Sequence, residues 1–274
     1  MNETPLFSIL IAQYNNKKYL QDAINSVMTQ TYTNWEIILV DDASTDDSKE
    51  LYKMYADNPR IKIFYNEENR GCGYTKKRCV ELANGEICGF LDPDDLLAPK
   101  ALEIMVNLHE QNEQASLIYS NFIQTDENLK NEKKVEPHPL KSDYLTSHSG
   151  YISHFATFKR SLYLKTGGID AKFKRAIDQD LYYKLEEVGA VIYENSYLYI
   201  YRIHSGGISV NKNELAAFSW KLVAIMDACE RRNINFEKVV SSELYHTFIY
   251  SYKNELKIGK FILSPIRKLK KYLT

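Results

Sequence analysis

Three aspartates stand within four positions in "FLDPDDLL", Phe90 to Leu97, directly after the apolar run "ICGFL" and ahead of the helix-like "LLAPKALEIMVNLHE". Ending a buried strand in Asp92, Asp94 and Asp95 brings like charges together, which is unfavourable unless a positive group is bound or one proton is retained. A turn of exposed acids that caps the following helix is the competing reading. Two more polar clusters follow apolar runs, "QYNN" (Gln13 to Asn16) and "DDAS" (Asp41 to Ser44). Later in the chain, "AIDQDLYYKLEEVG" and "YRIHSGGIS" add two acids at a helix start and a histidine after a strand.

The elements that must position these groups alternate. Strand-like "FSILIAQ" precedes a helical stretch from Lys17 to Thr29, "WEIILVDD" precedes Asp46 to Asp57, "IKIFY" precedes Gly73 to Ala83, and "ICGFL" precedes Pro99 to Gln111, before "SLIYSNF". Such βα units predict a mostly parallel sheet with helices on both faces. Ligands of open α/β sheets bind beyond the carboxyl ends of the strands, so the three clusters are expected on one rim. The polar stretch from Gln124 to Ser149, with Pro137 and Pro139, reads as a long loop carrying at most a short helix. A helix near Asp178 to Val188 and the tyrosine-rich strand "AVIYENSYLYIYRIH" follow, and the pattern turns helical from about Asn213.

Composition narrows the function by exclusion. The 274 residues are 44% hydrophobic and 26% charged, with a formal net charge of −1, an ordinary globular balance that does not suggest a nucleic-acid partner. The four cysteines have no metal-ligand spacing, and no N-terminal stretch has the blocks of a signal peptide, which reads as a reducing, cytoplasmic setting. No apolar run reaches the roughly 20 residues needed to span a bilayer.

Taken as an ordered set, "SILIAQYNNKKYLQDAINSVMTQTYTNWEIILVDDASTDDS", "NEENRGCGYTKKRCVELANGEICGFLDPDDLLAP", "IDQDLYYKL" and "YRIHSGGIS" resemble the inverting family 2 glycosyltransferases over about residues 5 to 210. The resemblance implies an α/β, single-domain A-type glycosyltransferase fold. It places the transferase domain at residues 1–210 and a C-terminal helical extension at 211–274. It also implies sugar transfer from a nucleoside diphosphate donor, a UDP-sugar, to a hydroxyl of a glycan or lipid-linked acceptor in cell-surface polysaccharide synthesis.

The same resemblance assigns roles residue by residue. Asp92-Pro93-Asp94 matches the D-x-D motif, with Asp94 on a Mn2+ or Mg2+ ion, Asp92 toward the donor ribose or metal shell, and Asp95 beside them. Hard cations of this kind suit carboxylate and phosphate oxygens. Asp42 matches the acceptor of the uracil imide hydrogen bond, with Asp41 as its neighbour, and Tyr14 matches the aromatic that stacks on the base. Arg70 and Arg78 match basic positions near the diphosphate, although Cys79 stands where an Asn commonly follows the Arg. A solvated helix face is the alternative for Lys76 and Lys77. Asp180 matches the general base, with Gln179 replacing the usual Glu and Asp178 as competitor. His204 matches a metal-side histidine, and His154 falls near the acceptor or diphosphate.

The tail "KNELKIGKFILSPIRKLKKYLT" sets seven Lys and Arg against one Glu among apolar residues. It reads either as a basic amphipathic helix on the inner face of the membrane or as a helix packed on protein. Two rival functions are weighed against transfer. A non-catalytic nucleotide-sugar or carbohydrate-binding module would tolerate loss of Asp94 and Asp180. An aspartyl-phosphate phosphatase would carry its D-x-D after the first strand, not the fourth.

Overall fold

The computed structural model describes residues 4–147, 151–206 and 214–240. The parallel half of the sheet is built from β1 (Phe7–Gln13), β2 (Trp35–Asp41), β3 (Ile61–Tyr65) and β4 (Ile87–Phe90), where the apolar runs predict them. Helices α1 (Lys17–Met28), α2 (Ser48–Tyr52) and α3 (Cys72–Leu82) make the crossovers between them. The later half is mixed. It contains β5 (Leu96–Leu97), α4 (Ala101–Gln111), β6 (Ala115–Thr125), β7 (Lys133–Val135), β8 (Ala156–Lys159), α5 (Arg160–Tyr163), α6 (Ile177–Glu186) and β9 (Ala190–Arg202).

The described strands form one nine-stranded sheet in the order β3-β2-β1-β4-β8-β6-β9-β5, with β7 paired to β6. β1 pairs in parallel with β2 and β4, and β2 with β3, so Gln13, Asp41 and Tyr65 lie side by side at the carboxyl ends of their strands. β8 runs antiparallel to β4 and β6, while β6 and β9 are parallel. The polar segment after Gln124 thus holds a short strand, β7, where the sequence suggests a loop or short helix. Pairing with Phe122–Gln124 supplies order that local composition does not show.

Alternation along the strands decides what each face buries. Phe7, Ile9 and Ile11 of β1 and Trp35, Ile37 and Leu39 of β2 share one apolar core with Leu20, Ile24 and Val27 of α1 and Leu102 and Met105 of α4. Leu10, Ile38 and Val40 point the other way and are equally buried, on the face where α3 packs. Each such Leu or Ile contributes on the order of 1.5–3 kcal/mol by leaving water.

The chain divides into two compact units, Met1–Ala228 and Cys229–Thr274. The first unit includes residues on both sides of position 210. Helix α7 (Glu214–Arg231) belongs to it through Ala228, with the Trp220 ring 5.3 Å from Phe173 and Asp227 bound to Lys172 at 3.2 Å. The described part of the second unit holds the end of α7 and α8 (Phe236–Val240). The basic tail from Glu255 lies outside the described residues. No helix among the described residues is long and apolar enough to cross a membrane.

Candidate active site

The strand ends of the parallel half are tied together by short side chains that bind backbone. Asn15 adopts a left-handed backbone (φ 49°), and its Oδ1 accepts the N–H groups of Thr45 (2.7 Å) and Asp46 (3.2 Å). This joins the loop after β1 to the loop after β2. Asp41 accepts the Ser44 N–H at 2.7 Å and the Tyr52 hydroxyl, and burial together with Asp41 pushes the Tyr52 phenol far above its ordinary range.

Asp42 is 3% exposed, and its carboxylate accepts Asn66 Nδ2 at 2.6 Å and the N–H groups of Arg70 and Gly71 at 2.8 Å each. Gly71 has φ +85°, a left-handed conformation that glycine adopts without strain and that aims its N–H at Asp42. Asp42 therefore organises the loop before α3, while Asp41 holds the turn that runs to Ser44.

Tyr14 stands 47% exposed beyond β1, free to offer a ring face. Arg70 extends over the Tyr74 ring, 4.5 Å from its centroid. Arg78 donates to the Tyr65 carbonyl at 2.7 Å and to Asn66 Oδ1. Its role in this arrangement is to close the end of β3.

Residues 92–95 form a tight turn between β4 and β5, with the Asp95 N–H donating to the Asp92 carbonyl at 3.1 Å and Pro93 at the second position. Each carboxylate has its own compensation. Asp92 Oδ1 lies 3.3 Å from Lys76 Nζ; burial opposes its charge, but Lys76 and then His154 outweigh it and hold the carboxyl below the usual range. Asp94 Oδ2 meets His204 Nε2 at 2.7 Å. Burial and the Asp92 charge push the Asp94 carboxyl up, and the His204 contact opposes them. Asp95 is buried and receives the Tyr199 hydroxyl and the Arg202 N–H, both at 2.8 Å. Burial, then Asp94 and Asp92, raise it well above a normal carboxyl, and the Arg202 and Tyr199 hydrogen bonds oppose them.

β9 delivers His204. The Gly206 N–H donates to Nδ1 at 3.3 Å, which assigns the ring hydrogen to Nε2, facing Asp94. The ring rests 4.7 Å from Tyr19, and Tyr19 is covered in turn by the Arg202 guanidinium at 4.6 Å. His154 stacks on Tyr199 and Tyr201 at 5.1 and 5.2 Å, and burial lowers its pKa.

The two acids of α6 part company. Residues 178 and 180 are about 200° apart around a helix, so they cannot face the same side. Asp178 meets Lys76 Nζ at 2.9 and 3.2 Å, beside Asp92. Asp180, expected to be the base, is 2% exposed and bound at 2.6 Å to Lys184, one turn along the same helix, with Lys184 also donating to the Gly168 carbonyl at 2.8 Å. Asp178, the competitor in the sequence, therefore lies beside Asp92 through Lys76, while Asp180 pairs within its own helix.

Lys76, which the sequence leaves open between the site and a solvated helix face, is buried between Asp92 and Asp178. Its side chain is 6% exposed, which removes the solvated-helix reading for it but not for Lys77, whose side chain is 42% exposed. Burial works against the ammonium charge, yet Asp178 and Asp92 hold its pKa well above the ordinary lysine value. Gly73, one turn earlier in α3, permits the contact. A Cβ there would stand 2.4 Å from the Phe173 carbonyl, so only glycine lets the segment leading into α6 lie this close. Cys72 in the same turn is pushed up to about 11 by burial and stays a neutral thiol.

The sequence profile of the family described as Glycosyl transferase family 2 matches residues 8–167. The chain belongs to that family. Among its relatives, chondroitin synthase of Escherichia coli is 30% identical over 220 residues, covering 78% of this chain and 31% of that protein. An uncharacterized glycosyltransferase of Haemophilus influenzae is 29% identical over 267 residues, covering 93% of this chain and 99% of its own. The hyaluronan synthase of Pasteurella multocida, at 29% identity over 217 residues, is matched over 22% of its length, so the chain spans under a third of both synthases. The crystal structure of Staphylococcus aureus TarS residues 1–349 in complex with UDP-GlcNAc superposes with a TM-score of 0.73 at 17% identity, over 93% of this chain and 76% of that one. It shares the α/β fold expected from the sequence.

Proposed function

We propose that this chain is a metal-dependent inverting glycosyltransferase that moves a sugar from a UDP-sugar to a hydroxyl of a glycan or lipid-linked acceptor in surface polysaccharide synthesis. The observation that carries the reading is the meeting of Asp92, Asp94 and Asp178 with Lys76 and His204 at the carboxyl end of β4, within a family 2 frame. The synthases among its relatives and the UDP-GlcNAc complex of the TarS neighbour support a nucleotide-sugar donor.

Tyr14 and the loop held by Asp42 offer the nucleobase a ring face and a polar edge, Arg70 lies beside them, and Asp92 reaches the donor. Asp94 Oδ2 and His204 Nε2 converge with a hydrogen between them, a hard oxygen and an imidazole nitrogen. These donor types fit Mn2+ better than Mg2+, which prefers oxygen alone. No group of three or more His, Cys, Asp or Glu ligands occurs among the described residues, so diphosphate oxygens would complete the shell. When bound, the cation neutralises charge developing on the leaving diphosphate.

Asp178 is the general base of this reading. As the acceptor oxygen bonds to the anomeric carbon, the carbon–oxygen bond to the diphosphate breaks with its electron pair, and the acceptor proton passes to the Asp178 carboxylate. The basic tail beyond Glu255 is the segment that would hold the domain at an anionic cytoplasmic membrane face, with binding that weakens in salt.

A panel of UDP-sugars with Mn2+ or Mg2+, scored for UDP release and for transfer to glycan acceptors, tests the proposal. Release that needs the metal and disappears in Asp94→Asn supports it. Tight binding of a UDP-sugar with no release under any condition would favour a non-catalytic module instead.

A further inference from the structure

Two aspartate–lysine pairs sit on α6, and they are built differently. Asp180 and Lys184 are one helical turn apart and closed off, with side chains 2% and 11% exposed. Asp178 reaches across to another helix, and its side chain is 35% exposed although that of its partner Lys76 is 6% exposed. Lys76 also lies 3.3 Å from Asp92, with its ammonium 4.8 Å from the Phe90 ring centroid.

A buried ammonium is costly unless it is paired, and two partly open carboxylates side by side repel. Among the described residues no other ion pair is made by Asp92 or Asp178. One cation therefore serves one acid from the donor-side turn and one from the helix that carries the base. The side chains of both acids are 35% exposed. Nothing in the packing of α3 calls for a charge at position 76: the neighbouring Thr75, Cys79 and Val80 are buried without one.

We propose that Lys76 is a positioning residue for the transfer reaction, acting through Asp178: it fixes the base carboxylate against the donor-side Asp92 and prevents the two acids from pushing each other out of register. This rests on the assignment of Asp178 as base. Lys76 needs no contact with the acceptor for this. Its effect passes entirely through the carboxylate it holds, so removing the ammonium is harmful only while that carboxylate is present.

A double-mutant cycle reads this directly. With the UDP-sugar that turns over in the donor panel, Lys76→Met alone lowers kcat by about 10- to 100-fold, whereas adding it to Asp178→Asn costs less than about threefold more. Lys76→Arg keeps the charge and retains kcat within about tenfold of the parent. Thermal melts of each variant confirm folding, and if Lys76→Met does not fold, Lys76→Gln takes its place in the same cycle. Equal losses from Lys76→Met in the presence and absence of the Asp178 carboxylate would overturn the proposal while leaving the base assignment intact. Near-normal turnover in Asp178→Asn would remove the base assignment and this proposal with it.

Discussion

Aspartates crowd both ends of the rim, yet the two groups are held by different means. At the nucleobase end, Asp41 and Asp42 are saturated by fixed donors: the N–H groups of Ser44, Arg70 and Gly71, the Asn66 amide and the Tyr52 hydroxyl. At the reaction end, Asp92, Asp94 and Asp178 are balanced by the side chains of Lys76 and His204. Backbone donors cannot leave without unfolding a loop, whereas a lysine or a histidine can exchange one anion for another. The first group builds the loops, and in the proposed reaction the second is the one that meets substrate and metal.

The contrast is broken most severely at the reaction end. Asp94→Asn should lower transfer on the order of 10²- to 10³-fold, the scale of losing a main electrostatic group, with little change in melting temperature. Metal titration followed by UDP binding checks it; unchanged Mn2+-dependent affinity would contradict a metal role for Asp94.

The opposite signature is expected at the nucleobase end. Asp42→Ala strands three buried or half-buried donors and should destabilise the fold by about 2–4 kcal/mol in denaturant melts. A loss of UDP binding without loss of stability would show that Asp42 is not a scaffold residue.

A control away from both groups is His109, buried on α4 with Nε2 2.9 Å from Thr157 Oγ1 and its pKa lowered by burial to about 3. Its folded value lies below the unfolded one, so the unfolded chain takes up the proton first. Stability is then full above about pH 6.5 and falls as pH drops toward 3, by about 2 kcal/mol at pH 5 from this one group. His109→Gln should flatten the pH dependence of the melting temperature over that window. The smallest effect is expected at Arg70, whose exposed stacking on Tyr74 is worth less than about 1 kcal/mol to the fold. Arg70→Ala should leave the melt almost unchanged while weakening UDP binding.

Strands β1 to β4 are legible because each is an apolar run bounded by polar residues, and the start of α6 is legible from its two early acids. β7 is not, because its order comes from pairing with β6 and not from its own polar residues. The D-x-D acids are readable as a cluster, but "TKK" reads the same whether Lys76 points to solvent or into the protein. Two local signals agree with the observed contacts. Asp180 and Lys184 stand at the i, i+4 spacing of an intrahelical pair, which marks Asp180 as already engaged. Gly73 inside a helical pattern marks a close approach to α3, which is where the segment entering α6 arrives.

The central claim is that Asp178, facing Lys76 and Asp92, takes the acceptor proton and that Asp180 does not. Single-turnover transfer by Asp178→Asn and Asp180→Asn, measured side by side with saturating donor and metal, tests it most directly. The account predicts a loss of about 10²- to 10⁴-fold for Asp178→Asn with UDP still bound, and for Asp180→Asn a lowered melting temperature with the rate per folded molecule largely kept. The reverse pattern, with transfer lost in Asp180→Asn and kept in Asp178→Asn, would contradict it.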